Sequence, residues 1–404
     1  MDSLTQIVLG AAVGEIALGR KIGNRAMVWG AIGGTIPDLD IIANPFLGDI
    51  EALAFHRGIS HSIFFSVVAP CLFGWLVYKL YDTKAHTSWW YKGIVSLLDI
   101  ILLVLIAFGL NMMFSDQGQP SWGFLIASII SVIYLLYRLY RYYMIKELEV
   151  PDTTFKDWYW LFFLAFATHW MLDSFTAFGT QIFQPFSDIR VAISNISVVD
   201  PLYTTPFLIC VIIAASMGRH TKRRAFYIWL GIGISSFYMV LTLANKVYID
   251  RMFDKALEHR GIEAERTNTG PTIFNNILWS CVAEDSDNYY VGRYSLFDSD
   301  PNFHYMNVIA KNDSIHQAWL PYPDYHTLLW FSDYYLVPFK TDTGYVLADL
   351  RYGGLQDTIH GPQDLIFKFQ VEENNGVSVF SESRERPENV GEMFRQLIRR
   401  IKGY

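Results

Sequence analysis

The sequence predicts an all-α polytopic membrane helix bundle of about eight spans, followed by a soluble α+β domain built on an antiparallel sheet. Three observations predict it. The 404 residues are 52% hydrophobic and only 18% charged, against about 25% charged in an ordinary soluble chain. The deficit is uneven: residues 1–249 form a series of long apolar runs, and from 250 onward the composition is that of a mixed, soluble protein. The loops between the apolar runs alternate between basic and non-basic without a break. The chain therefore divides at residue 249 into a transmembrane part, 1–249, and a second domain, 250–404.

The spans can be taken in order. A membrane helix needs about 20 mostly apolar residues. Six stretches meet that comfortably, near 61–82, 93–114, 122–144, 158–178, 202–217 and 225–248. Two earlier ones, near 3–19 and 26–43, are shorter and carry Gln6, Glu15, Asp38 and Asp40. They read as spans or as re-entrant or steeply tilted segments. The opening "MDSLTQIVLGAAVGEIALGRK" lacks the basic region and small-residue cleavage site of a secretory signal, so it is expected to be retained.

Orientation comes from Lys and Arg, which favour the cytoplasmic side of short loops. Basic loops lie at 19–25, 79–92, 138–150 and 218–224, and the poorly basic ones at 43–58, 115–121 and 180–200. That alternation puts both termini, and everything after 249, outside the cytoplasm. The expected location is a multi-pass protein of the cell's inner (plasma) membrane.

The second domain begins with a polar helix, "DRMFDKALEHRGIEAER", that continues the last span. Five segments rich in aromatic and β-branched residues follow, bounded by Asn, Asp, Gly and Pro: "TIFNNILWSCVAE", "NYYVGRYSLF", "DYYLVPFKT", "YVLADLRYG" and "LIFKFQVEE". They read as antiparallel strands. The terminal "ENVGEMFRQLIRRIKGY" puts Met393, Phe394, Leu397, Ile398 and Ile401 on one helix face, which packs on the sheet or lies on the membrane surface. The domain reads as a lid or substrate-recognition module, because His304, His316, His326 and His360 show no ligand spacing.

Composition also excludes classes. A net charge of −7 argues against nucleic-acid binding, which needs a basic face. Cys71, Cys210 and Cys281 form no CxxC or finger pattern and read as apolar packing residues. No GxSxG elbow suggests a serine hydrolase.

The chemistry lies in three segments of the membrane part. "IPDLDIIANPFLGDIEALAFHRGISHS" places Asp38 and Asp40 at the outer end of the second span and His56 and His61 at the start of the third. "FATHWMLDSF" places His169 and Asp173 four residues apart, on one helix face, in the outer half of the sixth. Three Asp and three His thus come to one depth on one side. Ionisable residues in a span are costly and usually functional.

Imidazole and carboxylate donors together suit zinc first, then manganese or iron. Six candidate ligands exceed the three that a catalytic zinc usually takes, so the set implies either two ions or one ion with an Asp as general base. Asp40 and Asp173 are the candidate bases. Bland readings stand beside each element: His169 and Asp173 as a helix-stabilising pair, Asp38 as a cap after Pro37, His56 as a solvated loop residue. That all hold at once on one side of a membrane is the less economical reading.

Around this set, Arg57 reads as a ligand for an anionic group such as phosphate, or as a snorkelling arginine. Ser60 and Ser62 read as supporting donors to His61, Asp200 as a helix cap, and Asp2 and Gln6 as outer-end residues able to join the site.

The ordered pieces "MDSLTQIVLGAAVGE", "PDLD", "HRGISHS", "HWMLDSF" and "SNISVVDPLYT" resemble the YdjM-type family of inner-membrane proteins, whose assignment is metal-dependent hydrolase. The resemblance covers about 1–249 and extends loosely to "GYVLADLRYGG" at 344–354. It implies a multi-span, metal-dependent hydrolase. The expected substrate is a lipid or lipid-linked ester, amide or phosphoester, reached from the outer interface, with membrane lipids as surroundings and no particular protein partner indicated. A transporter using the same residues for an ion is the alternative, but it would place them near the midplane. A receptor with a structural metal is the third.

Overall fold

The computed structural model describes residues 1–114, 122–140, 150–300, 302–341, 344–374, 377–383 and 390–403. The expected loop at 115–121 and most of that at 138–150 lie outside the described residues. The chain forms two compact units, one of 1–70 with 160–404 and one of 71–159.

Each of the eight apolar segments contains a helix. They are α1 (Ser3–Ile22), α2 (Asn24–Thr35), a short α3 (Asp49–Phe55) in the following loop, α4 (Ile63–Asp82), α5 (Trp89–Phe114), α6 (Trp122–Tyr140), α7 (Phe155–Asp173), α8 (Pro201–Ala215) and α9 (Lys222–His259). Among the described residues, two of them, α4 and α9, are individually long and apolar enough to cross a membrane. A third span results if α2 and the 3-10 stretch Pro37–Phe46, bent by 42° against it, count as one. Helix α8 has only 15 residues. It is also the helix that Asp200 caps, accepting from the backbone N–H groups of Leu202 and Tyr203. Helix α9 runs 38 residues, so the polar helix after residue 249 does continue the apolar one.

Helices α1 and α2 form a tight hairpin. Asp2 caps α1 by accepting from Thr5 N–H, and Gly23, at φ 63°, ends it in a backbone region that side chains disfavour. Gly10 and Gly14 face Gly30 and Gly34 so closely that a Cβ on Gly30 would lie 2.2 Å from the Gly10 carbonyl oxygen. This is the small-residue contact that lets helices pack through their backbones where apolar burial gives little drive. At the hairpin's other end Arg224 of α9 holds Glu15 of α1 bidentately, with Nε–Oε1 2.6 Å and Nη2–Oε2 2.5 Å, and donates to Asn24 Oδ1 at 2.6 Å.

In the second unit, Tyr81 and Trp158 stack with ring centroids 5.4 Å apart, and the Trp158 indole donates to Thr153.

After residue 259 the expected single sheet is in fact two four-stranded antiparallel sheets. The first is β1 (Arg266–Pro271), β2 (Leu278–Glu284), β3 (Asn288–Ser295) and β4 (Met306–Ala310); the second is β5 (Leu336–Thr341), β6 (Gly344–Gly354), β7 (Leu365–Asn374) and β8 (Val377–Glu382). Both run in sequential order. β1, β4 and β8 have no counterpart among the five expected strands, because "RTNTGP" is polar and the other two are short and largely unburied. Two helices, α10 (Asp313–Trp319) and α11 (Pro323–Phe331), separate the sheets in sequence. Val282 and Val291 meet Val337, Ala348 and Leu350 in a core shared by both sheets. The last helix, α12 (Val390–Ile401), packs on the first sheet side: Phe394 stacks on Phe274, and Arg400 pairs with Asp298.

What positions the site is α3. Its Ile50 is buried in the core of Trp319, Tyr325, Phe331, Phe369 and Phe380. The loop between the second and third apolar segments is therefore fastened to the sheet domain.

Candidate metal centre

Helix α2 stops where Pro37 removes a backbone donor, and the chain tightens into a 3-10 stretch with Asp38 and Asp40 in its first turn. The return path bends at Arg57, whose φ of 59° is rare for a residue with a side chain. Two bonds hold it there: Arg57 N–H donates to Asp40 Oδ2 at 3.0 Å, and its carbonyl accepts from Gln181 N–H at 3.1 Å. That bend brings His56 and His61 back over the two aspartates. Helix α7 supplies His169 and Asp173 from its last turn.

Four of the six expected residues converge. One ligand atom each from Asp38, His61, His169 and Asp173 lies within 4.8 Å of the others. Asp38 Oδ1 is 3.2 Å from His61 Nε2 and 3.4 Å from His169 Nε2. Asp173 Oδ2 is 3.5 Å from His61 Nε2 and 3.4 Å from His169 Nε2. A tetrahedron whose donors sit about 2.0–2.2 Å from a central ion has edges of about 3.4 Å. The four His–Asp distances match such an edge, and with all four atoms within 4.8 Å of one another the group could hold one ion. This His2Asp2 group is the one found among the described residues, and the histidines after residue 300 join no other.

The surroundings fix the donors. His169 Nδ1 donates to the Gly34 carbonyl at 2.7 Å, which leaves Nε2 as the nitrogen that faces the centre. His61 Nδ1 is engaged by Ser60 Oγ at 3.0 Å and lies 3.5 Å from Asp40 Oδ2, so its Nε2 also faces the centre. Asp173 Oδ1 accepts from Gln6 Nε2 at 3.0 Å and meets the Met1 amine, while Arg57 Nε stands 3.5 Å from Oδ2. His169 Nε2 and Asp173 Oδ2 are buried and have no hydrogen-bond partner. Leaving two such atoms unpaired costs about 1–3 kcal/mol each, more if charged. A shared cation would satisfy both at once. Asp38 is the one partly open member, with 17% of its side chain accessible.

Asp40 and His56 stand beside this group rather than in it. Asp40 Oδ1 binds His56 Nδ1 at 2.9 Å, and its Oδ2 takes Arg57 N–H and Ser60 Oγ. His56 keeps 27% of its side chain accessible. Of the supporting residues, Gln6 and Ser60 reach the site, whereas Ser62 caps α4 through Phe65 N–H and Asp2 caps α1. The Gly34 carbonyl and Thr176, which accepts from Arg57 Nη1 at 2.9 Å, carried no sequence signal.

A family model, YdjM inner membrane protein, matches residues 1–249. No curated protein and no solved structure matches the chain. That stretch holds the glycine hairpin, the bend at Arg57 and all four converging residues. The chain belongs to the YdjM inner membrane protein family.

Proposed function

We propose that the protein is a metal-dependent hydrolase working at the outer membrane–water interface on a lipid or lipid-linked ester, amide or phosphoester. One observation carries the reading: His169 Nε2 and Asp173 Oδ2, buried and without a hydrogen-bond partner, belong to a group of four donor atoms that all lie within 4.8 Å of one another. Asp38, His61, His169 and Asp173 hold the ion, zinc by preference, with manganese and iron next. A divalent ion there supplies Lewis-acid chemistry, polarising the scissile group and acidifying water toward neutral pH.

The chain's own residues divide the remaining work. Asp40 and His56 form a hydrogen-bonded dyad at the accessible edge, the arrangement of a base steadied by a carboxylate, and they take up the proton. Asp40 also steadies His61 from behind. Arg57 anchors Asp173 and is available to an anionic substrate group. The partial accessibility of Asp38 and His56 supports entry from that side.

Asp40→Asn is the test that separates roles. Metal content at saturating zinc is expected to stay at the wild-type level, since losing a group that only steadies a ligand, as Asp40 steadies His61, costs about 10–100-fold in affinity. Release of fatty acid or headgroup from a membrane lipid extract is expected to fall about 10²–10⁴-fold, the range of a general base. A variant that hydrolyses lipid like the wild type removes Asp40 from the chemistry, and a zinc-loaded wild type inert on every lipid class contradicts the hydrolase reading.

The same proposal includes about eight spans, both termini outside the cytoplasm, and the 250–404 domain as the substrate-recognition module. The alternating loop charge supports it. A compartment-specific reporter fused at the C-terminus is expected to be active outside the cytoplasm. Activity confined to the cytoplasm would move the site to the other face.

A further inference from the structure

Next to the metal centre lies a group of arginines short of counter-charge. Arg190, in the segment between α7 and α8, sets its guanidinium carbon 5.0 Å from the Phe178 ring centre, 5.0 Å from Trp330 and 4.3 Å from Phe331. Its Nη1 donates to the Phe331 carbonyl at 2.9 Å, and Arg351 Nη2 donates to the same oxygen at 2.6 Å. Two cations therefore meet at one carbonyl. The carboxylate at hand, Asp349, is held by Arg351 through Nε at 3.0 Å and Nη2 at 2.6 Å. Arg190 makes no ion pair among the described residues, and its Nη2 is buried without a hydrogen-bond partner.

Two further unsatisfied donors stand nearby. The hydroxyl of Tyr352 is buried and has no hydrogen-bond partner, and the Arg351 guanidinium carbon lies 5.7 Å from its ring centre. Arg57 lies 4.7 Å from the same Phe178 ring that Arg190 covers, and its buried Nε also lacks a hydrogen bond. Burial, then the neighbouring Arg351, pushes Arg190 down to about 9. A guanidinium nonetheless stays charged at neutral pH. Arg190 is half-buried, and ring faces and a carbonyl surround its guanidinium where a carboxylate of its own is missing; an anion bound there would supply that counter-charge.

We propose that Arg190, Tyr352 and Arg57 form a binding site for a phosphate group beside the metal centre, so that the substrate is a phosphate-bearing molecule. Phosphate fits better than carboxylate. The donors come from three separate segments, and a carboxylate offers two coplanar oxygens where a phosphate offers several in three dimensions. Arg57 links the two sites, since its Nε is also 3.5 Å from Asp173 Oδ2. Binding stands on these residues alone, while its consequence for catalysis rests on the hydrolase reading. Phosphate on a lipid headgroup and free phosphate share this chemistry.

The test is calorimetric titration of the purified full chain, loaded with zinc, with inorganic phosphate, dihexanoyl phosphatidate and dihexanoylglycerol. Wild type is expected to bind a phosphate ligand and to ignore the glycerol. R190Q is expected to weaken that binding at least about tenfold, the loss of charge-assisted hydrogen bonds, with zinc content unchanged. Y352F, which removes one hydroxyl, is expected to weaken it less, and it gives the reading should R190Q fail to fold. Preference for phosphatidate assigns the site to a lipid phosphate, and equal affinity assigns it to free phosphate. Wild-type affinity in both variants, or no binding of either phosphate to zinc-loaded protein, overturns the phosphate site and leaves the metal reading standing. Arg190-dependent binding to protein that takes up no zinc does the reverse.

Discussion

Replacing His169 by alanine is expected to lower zinc affinity by more than about 100-fold, beyond the cost of losing a supporting group alone. Its imidazole gives the centre a nitrogen whose tautomer is set by the Gly34 carbonyl. Asp173→Ala is expected to match it, and Gln6→Ala, which removes a donor to Asp173 Oδ1, to have a smaller effect. Dialysis against buffered zinc followed by elemental analysis measures all three, with gel filtration checking that each variant stays folded. Full zinc occupancy in both His169→Ala and Asp173→Ala would remove α7 from the site. Helix α7 then keeps its i,i+4 pair for stability only.

The second large effect is on the fold. Arg224→Ala is expected to destabilise the protein by about 3–5 kcal/mol, because it strands a buried carboxylate. Glu15 receives both Nε and Nη2 of Arg224 and has no comparable cation to replace them among its described contacts. Pairing Arg224→Met with Glu15→Gln is expected to recover much of the loss, since no ion then stays unpaired. Thermal unfolding in detergent reads both. An unchanged midpoint for Arg224→Ala would mean that the α1–α2 hairpin is held by its glycine contact alone.

Much of the site was legible because its signals are local. An i,i+4 His–Asp pair announces itself in "HWMLD", and "PDLD" with "HRGISHS" names the other side. Sorting the ligands was beyond the sequence. Asp38 and Asp40 differ by two positions in a 3-10 turn, and the positive φ at Arg57 decides which of them meets Nε2 and which meets Nδ1 of His61. Of the arginine group, the sequence pointed to Arg57 alone and gave no sign that Arg190 and Arg351 would join it. Arg190 and Arg351 are 161 positions apart and meet only because α11 offers both the Phe331 carbonyl.

The fold was legible to a similar depth. Apolar runs foretold a helix in each of eight segments, but the run at 202–217 was read as a comfortable span, whereas α8, started by Asp200 and Pro201 and ending at Ala215, is a shorter apolar helix of 15 residues. Strands with aromatic alternation were recovered. The polar β1 was not, because pairing with the wholly buried β2 holds it in place, a long-range effect that composition does not carry.

The most direct measurement is anomalous diffraction from crystals of the full chain grown with zinc, manganese or iron, collected at each metal's absorption edge. The expected result is one strong peak, enclosed by Asp38 Oδ1, His61 Nε2, His169 Nε2 and Asp173 Oδ2, with bonds of about 2.0–2.2 Å. A map with those four side chains ordered and no metal peak among them, under any of the three ions, would contradict it.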